Sequence, residues 1–184
     1  MVVLELAENG DLFDVKQGGL PEEVCRTYAK QLVCALKYLK EMGVTHRDIK
    51  TENILFDENS MLKVGDFGLA RNAEGDHGDF KLTSKVGTAS FIPPEMYKGS
   101  YRGIHTDIFA TGIVIFLMLS GSPPFLSADT GNPHYRMIRE WNFDKFWKVH
   151  DKAKKPGFYT MPFKRLMNAF FCADPEKRPT FDDL

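Results

Sequence analysis

The chain has 184 residues, enough to bury one domain core, and its 43% hydrophobic and 27% charged content is that of a globular rather than a disordered protein. Lys and Arg number 24 against 25 Asp and Glu, a net charge of −1 that suggests neither a nucleic-acid partner nor an anionic membrane surface. The longest apolar run, Ile113 to Leu119, is far shorter than the roughly 18 residues of a membrane helix, and acidic Glu5 and Glu8 follow Met1 too closely for a secretory signal. Cys25, Cys34 and Cys172 are odd in number and lack CxxC spacing, so they read as buried or idle thiols in a reducing compartment. A soluble, cytoplasmic protein is expected.

Taken in chain order, Val2 to Leu6 is apolar and partly β-branched, which predicts a short strand ended by Asn9-Gly10. Pro21 opens a long helix, with Cys25, Tyr28, Leu32, Leu36 and Leu39 at helical spacing and Gly43 as its stop. Asn53–Phe56 and Met61–Val64 alternate like two strands around the turn Asp57-Glu58-Asn59-Ser60. Arg71 to Ser90 is polar and aperiodic, which predicts a long, mobile, functional loop. Thr106 to Leu119 is apolar nearly all round, the pattern of a helix buried on every side. Helices over Asp129 to Glu140 and Pro162 to Phe171 are candidates to cover it, with a break at Pro156-Gly157 between them. The expected fold is mainly α, with a small β element near the N-terminal edge.

Chemistry concentrates in His46-Arg47-Asp48-Ile49-Lys50-Thr51-Glu52-Asn53, and Asp66-Phe67-Gly68 begins 13 residues after Asn53. Asn53 and Asp66 offer the hard oxygens that Mg²⁺ prefers. Lys50 can neutralise phosphate charge, and Asp48 can accept a hydroxyl proton. Singly these are ordinary turn residues; in register they suit a nucleotide phosphate.

From Leu4 to Arg178 the sequence resembles the eukaryotic protein-kinase family, through HRDxKxxN at His46–Asn53 and DFG at Asp66–Gly68. The resemblance implies ATP and Mg²⁺ as cofactors, Asp48 as catalytic base, Lys50 as the serine/threonine signature beside the transferring phosphate, and Asn53 and Asp66 as magnesium ligands. Glu95 in Pro93-Pro94-Glu95 matches the family's APE, with Arg178 as its ion-pair partner. Asp107 and Gly112 match DxWxxG, with Phe109 in place of Trp. Phe91 stands where Tyr is usual. Glu5-Leu6-Ala7 resembles the adenine-binding hinge, which makes Leu4 the gatekeeper, Leu55 the floor of the adenine pocket and Asp11 a ribose contact. Gly121-Ser122-Pro123-Pro124-Phe125 and Leu12-Phe13-Asp14 are similar to calcium/calmodulin-dependent and AMP-activated kinases.

The same resemblance makes residues 1–184 one partial catalytic domain: hinge, catalytic loop, activation loop and helical C-terminal lobe. No Gly-rich loop and no lysine-bearing strand precede Leu4, so a fragment without the small N-terminal lobe, weak in ATP binding and turnover, is expected. His46 is expected to pack on Phe67, and Thr88 to contact the catalytic loop through its hydroxyl. Arg47 is either a solvated charge or a docking point for a phosphate placed on Thr83 or Ser84 by an upstream kinase. Asp11 and Glu52 are open as contacts for basic substrates. Lys152, Lys154 and Lys155 read as solvated surface, and Trp141, Phe143, Phe146 and Trp147 as core. Three functions follow: phosphoryl transfer to protein serine or threonine, a pseudokinase-like lobe that binds partners, or a small-molecule kinase. The peptide-binding segment Gly87–Glu95 disfavours the third.

Overall fold

The computed structural model describes residues 3–15, 17–75 and 78–184. Its architecture follows from one apolar stretch. Gly103–Ser120 forms a helix in which only Ile104 and His105 reach solvent in part. It is long and apolar enough to cross a bilayer, yet it is wrapped by other parts of the chain. Its two threonine hydroxyls are satisfied within the helix, Thr106 Oγ1 donating to Gly103 O and Thr111 Oγ1 to Asp107 O, both at 2.7 Å.

Labelled in chain order, the helices are α1 (Leu12–Val15), α2 (Glu22–Glu41), α3 (Gly103–Ser120), α4 (Pro133–Arg139), α5 (Phe143–Asp151) and α6 (Met161–Phe170). α2 turns Cys25, Leu32 and Leu36 inward. α6 crosses α3 at Gly112, where an added Cβ would come within 2.5 Å of the Phe170 Cβ; only glycine allows that approach. Phe109 meets Tyr135 and Phe171 edge-on, with centroids 6.0 and 6.2 Å apart, so aromatic volume fills the space between α3, α4 and the end of α6.

Among the described residues, β structure is confined to two antiparallel pairs. β1 (Val44–Thr45) pairs with β4 (Arg71–Asn72), and β2 (Ile54–Phe56) with β3 (Leu62–Val64). In the β2–β3 hairpin Ile54 faces Val64, Leu55 faces Lys63 and Phe56 faces Leu62. Asp57 Oδ1 closes its turn by accepting the N–H groups of Asn59 and Met61.

Several expectations are corrected. Val3–Leu6 is exposed and forms no strand, and Val2 lies outside the described residues. The β2 edge is taken instead by Asp11, which bridges Leu55, and by Asn9 and Gly10, which exchange backbone hydrogen bonds with Phe56. The helix expected from Asp129 starts at Pro133, because Asn132 caps it by accepting from His134 and Tyr135 N–H, while Asp129 ties off Gly131 and Asn132. Helix α5 was not anticipated.

Trp141 is not core: it is 62% exposed at a left-handed corner (φ 57°) between α4 and α5. Phe146 and Trp147 are buried. Lys154 is not a free surface charge, since its Nζ donates to Ser120 O at 2.7 Å at the carboxyl end of α3. The 71–90 loop contains β4, a bridge between Leu82 and Tyr101, and a 3-10 turn over Ala89–Phe91. Cys25 and Cys172 are buried, Cys34 is exposed, and all three thiols are free.

Candidate active site

The loop 46–53 leaves β1 and returns through β2, and Asp107 near the start of α3 holds it. Asp107 is buried, and its two oxygens accept the N–H groups of His46 and Arg47, each at 2.8 Å. Burial pushes the Asp107 carboxyl up to about 7, although the two N–H groups and the Arg47 charge pull the other way. These two bonds hold Arg47 in a left-handed conformation (φ 66°) that a side-chain-bearing residue rarely adopts.

The His46 ring sits edge-on to Phe67 at 5.0 Å, as expected, and its Nε2 lies 2.9 Å from Gly65 O. Its Nδ1 accepts the Asp48 N–H at 3.3 Å, so the proton belongs on Nε2. Burial lowers its pKa and keeps the ring neutral.

The side chains of Asp48, Lys50, Asn53 and Thr88 converge. Asp48 Oδ2 receives Lys50 Nζ at 2.9 Å and Asn53 Nδ2 at 3.1 Å. Asp48 Oδ1 receives the Thr88 N–H and Oγ1–H, both at 3.2 Å. Lys50 Nζ also reaches Thr88 Oγ1 at 3.3 Å. The hydrogen bond to Asp48, then the fields of Asp48, Glu52 and Asp66, raise the Lys50 pKa and hold it charged. Gly87 permits this closeness: with φ 95°, a Cβ there would sit 2.8 Å from Arg47 O.

Asn53 Nδ2 donates to Asp48 O at 2.8 Å as well, which turns its amide oxygen away from Asp48. The Asn53 carbonyl accepts the Gly65 N–H at 2.9 Å, tying the loop to the segment that carries Asp66. Asp66 is exposed and left-handed (φ 55°), with Oδ1 accepting the Gly68 N–H at 3.1 Å. An amide oxygen and a carboxylate are hard donors that fit Mg²⁺. Among the described residues no group of three or more His, Cys, Asp and Glu side chains could hold a metal, so such an ion would need phosphate or water oxygens as well.

A cavity of about 610 Å³ opens beside Asp66. Leu4, Glu5 and Ala7 line one side and Leu55 another, which brings the expected hinge and floor together. Glu5 is tethered to β3 by Lys63 Nζ at 3.1 Å. Asp11 is not brought in: its carboxylate accepts the Asp14 N–H at 3.0 Å and caps α1 instead.

Arg47 is not a solvated charge. It is buried, with Nε donating to Leu69 O at 2.8 Å and Nη1 to Ser84 Oγ at 2.9 Å. Nη1 also donates to Tyr101 Oη at 3.2 Å, and that hydroxyl donates to Ser84 O at 2.6 Å. Tyr101 carried no motif; its backbone bridge to Leu82 and its hydroxyl bonds place it here. Glu95 and Arg178 pair through both oxygens, at 2.6 and 2.7 Å, and the guanidinium lies over the Phe109 ring at 4.8 Å.

Compared with protein-family models, the protein kinase domain matches residues 1–184. The chain belongs to the protein kinase family. The serine/threonine-protein kinase CHK1 of Mycosarcoma maydis is 36% identical over 100% of this chain and 27% of its own length. The CBL-interacting protein kinase 2 of Oryza sativa subsp. japonica is 34% identical over 99% of this chain and 39% of its own length. The CBL-interacting serine/threonine-protein kinase 5 of Arabidopsis thaliana is 34% identical over 96% and 38%. The kinase chain thus spans 27–39% of the curated relatives it matches. These relatives fit the calcium/calmodulin-dependent and AMP-activated kinase-like group. Protein kinases in general use ATP and Mg²⁺.

Proposed function

We propose that this chain supplies the catalytic loop of an ATP-dependent protein kinase that phosphorylates serine or threonine in protein substrates, in the cytoplasm. The observation that carries the reading is the Asp48 carboxylate, 8% exposed and held between Lys50, Asn53 and Thr88.

Transfer forms a bond between the substrate hydroxyl oxygen and the γ-phosphorus and breaks the bond to the β–γ bridging oxygen. Asp48 orients that hydroxyl and takes its proton. Four donors already surround the Asp48 carboxylate, and the Thr88 hydroxyl is a neutral donor of the same kind as the substrate hydroxyl that would displace it. Lys50, fixed as a cation, balances charge on the transferring group. Asn53 and Asp66 are the residues that would hold magnesium, which when bound screens phosphate charge. Leu4, Glu5, Ala7 and Leu55 would receive adenine.

The test is phosphate transfer from labelled ATP to protein substrate by the full-length protein. Asp48→Asn should lower the rate by roughly 10²–10⁴-fold. A loss below tenfold would remove Asp48 from its role, and no transfer by the parent protein would leave a partner-binding lobe.

Activation through Ser84 is part of the proposal. A phosphate adds nearly two negative charges, and the Ser84 hydroxyl already accepts from Arg47. Ser84→Ala should abolish activation by an upstream kinase, whereas Thr83→Ala should leave it intact. Activation that survives Ser84→Ala but not Thr83→Ala assigns the phosphate to Thr83.

A further inference from the structure

Helices α5 and α6 face each other across a groove of about 690 Å³. On α5, Asp144, Lys148 and Asp151 fall at i, i+4 and i+7 and share one face. On α6, Met161, Arg165 and Asn168 do the same, and the connection between the helices supplies Lys152 and Lys154. The floor is apolar: Trp147 and Tyr159, with 62%-exposed Met161 at one end.

Five cations and two carboxylates line this groove, in a chain whose net charge is −1. Two of the cations are already used. Lys164 pairs with Asp151 at 2.6 Å, and Lys154 donates to Ser120 O at 2.7 Å. Lys148, Lys152 and Arg165 are exposed and make no ion pair among the described residues. Lys148, in the last turn of α5, and Lys152, at its C-cap, stand four apart, a like-charge spacing that is mildly repulsive. With no ion-pair partner among the described residues, these three charges and the apolar floor together complement an anionic ligand that carries an apolar anchor.

We propose that this groove docks an acidic peptide segment of a protein partner, its carboxylates on Lys148, Lys152 and Arg165 and an aromatic or aliphatic residue on the Trp147–Met161 floor. The concave shape and apolar floor favour a peptide over a membrane surface. The carboxylates of Asp144 and Asp151 among the lining residues disfavour nucleic acid, whose phosphates are evenly spaced and uninterrupted. The docking proposal is independent of the catalytic reading.

The test is fluorescence anisotropy on the full-length protein with labelled nine-residue peptides: Phe or Leu flanked by Asp and Glu, the same acids around Gly, and the same apolar residues flanked by Lys. Single-stranded DNA of 12 nucleotides and phosphatidylserine vesicles are run beside them. The acidic peptides with an apolar centre should bind best, and tenfold or more weaker when Lys148, Lys152 and Arg165 are all changed to Glu. Binding should also weaken between 50 and 200 mM salt, as exposed charges become screened. Met161→Ser, which leaves every charge in place, should weaken the Phe and Leu peptides and not the Gly control. Equal thermal melts of the variants and the parent show that folding is intact. The proposal is overturned if no acidic peptide binds, if binding survives the triple charge reversal, or if DNA or vesicles bind more tightly through the same three residues.

Discussion

The catalytic loop and the segment Val3–Ala7 flank the same region, and they are built in opposite ways. In the loop, Asp48, Asn53, His46 and Arg47 are all buried, and each makes two or more hydrogen bonds. Val3, Leu4 and Leu6 are 74–81% exposed, and an ion pair between Glu5 and Lys63 ties this segment to β3. Groups that do chemistry must be held within fractions of an ångström, so they are over-determined. A wall that, in the proposed reading, would meet a ligand through backbone groups tolerates looser support. The difference teaches where substitutions should hurt.

The largest structural effect should come from Asp107→Ala. It orphans two buried backbone N–H groups, each worth roughly 1–3 kcal/mol, and removes what holds Arg47 left-handed. A loss of about 2–6 kcal/mol in denaturant unfolding, with activity lost as well, is expected. A loss below about 1 kcal/mol would show that the loop is not held from α3.

Acid should act on the loop next. The His46 pKa is lowered, so the unfolded chain takes the proton first. Its contribution is complete above the ordinary value of about 6.5 and is lost as pH falls through the lowered one, by at most about 1.4 kcal/mol per pH unit. His150, pushed down to about 4 by burial, acts in the same direction from α5. Asp107, raised to about 7, acts oppositely, its contribution complete in acid and lost as pH rises through that value. Melting curves at pH 7.5 and 5.5 should therefore show a smaller acid loss in His46→Asn than in the parent. An unchanged difference would mean that His46 does not titrate with unfolding.

The smallest effect belongs to the front wall. Lys63→Met breaks two pairs, an exposed one with Glu5 whose partners are 43% and 67% accessible and a longer one with Asp57 at 3.4 Å, and should cost under about 1 kcal/mol. Only a small change in the KM for ATP should accompany it. A larger change would place Val3–Ala7 beside the loop as a rigid element.

Legibility followed the range of the interactions. α2, α3 and the β2–β3 hairpin were readable because their periodicity lies along the chain, within a turn or two of each residue. α5 escaped because its 9 residues are too few to separate a helical period from a cluster of aromatics. Trp141 was misassigned because hydrophobicity records what a residue prefers, while its exposure was decided by the corner between two helices.

By itself, the sequence determined the family, the two longest helices and the residue types at the catalytic loop, since these are local spacings that survive in one dimension. Only the tertiary structure decided that Arg47 meets Ser84 and Tyr101, that Asp11 caps a helix rather than facing the cavity, and that α5 and α6 enclose a basic groove. Those outcomes join residues that are tens of positions apart or depend on which of several partners is nearest, and burial around α3 settles both.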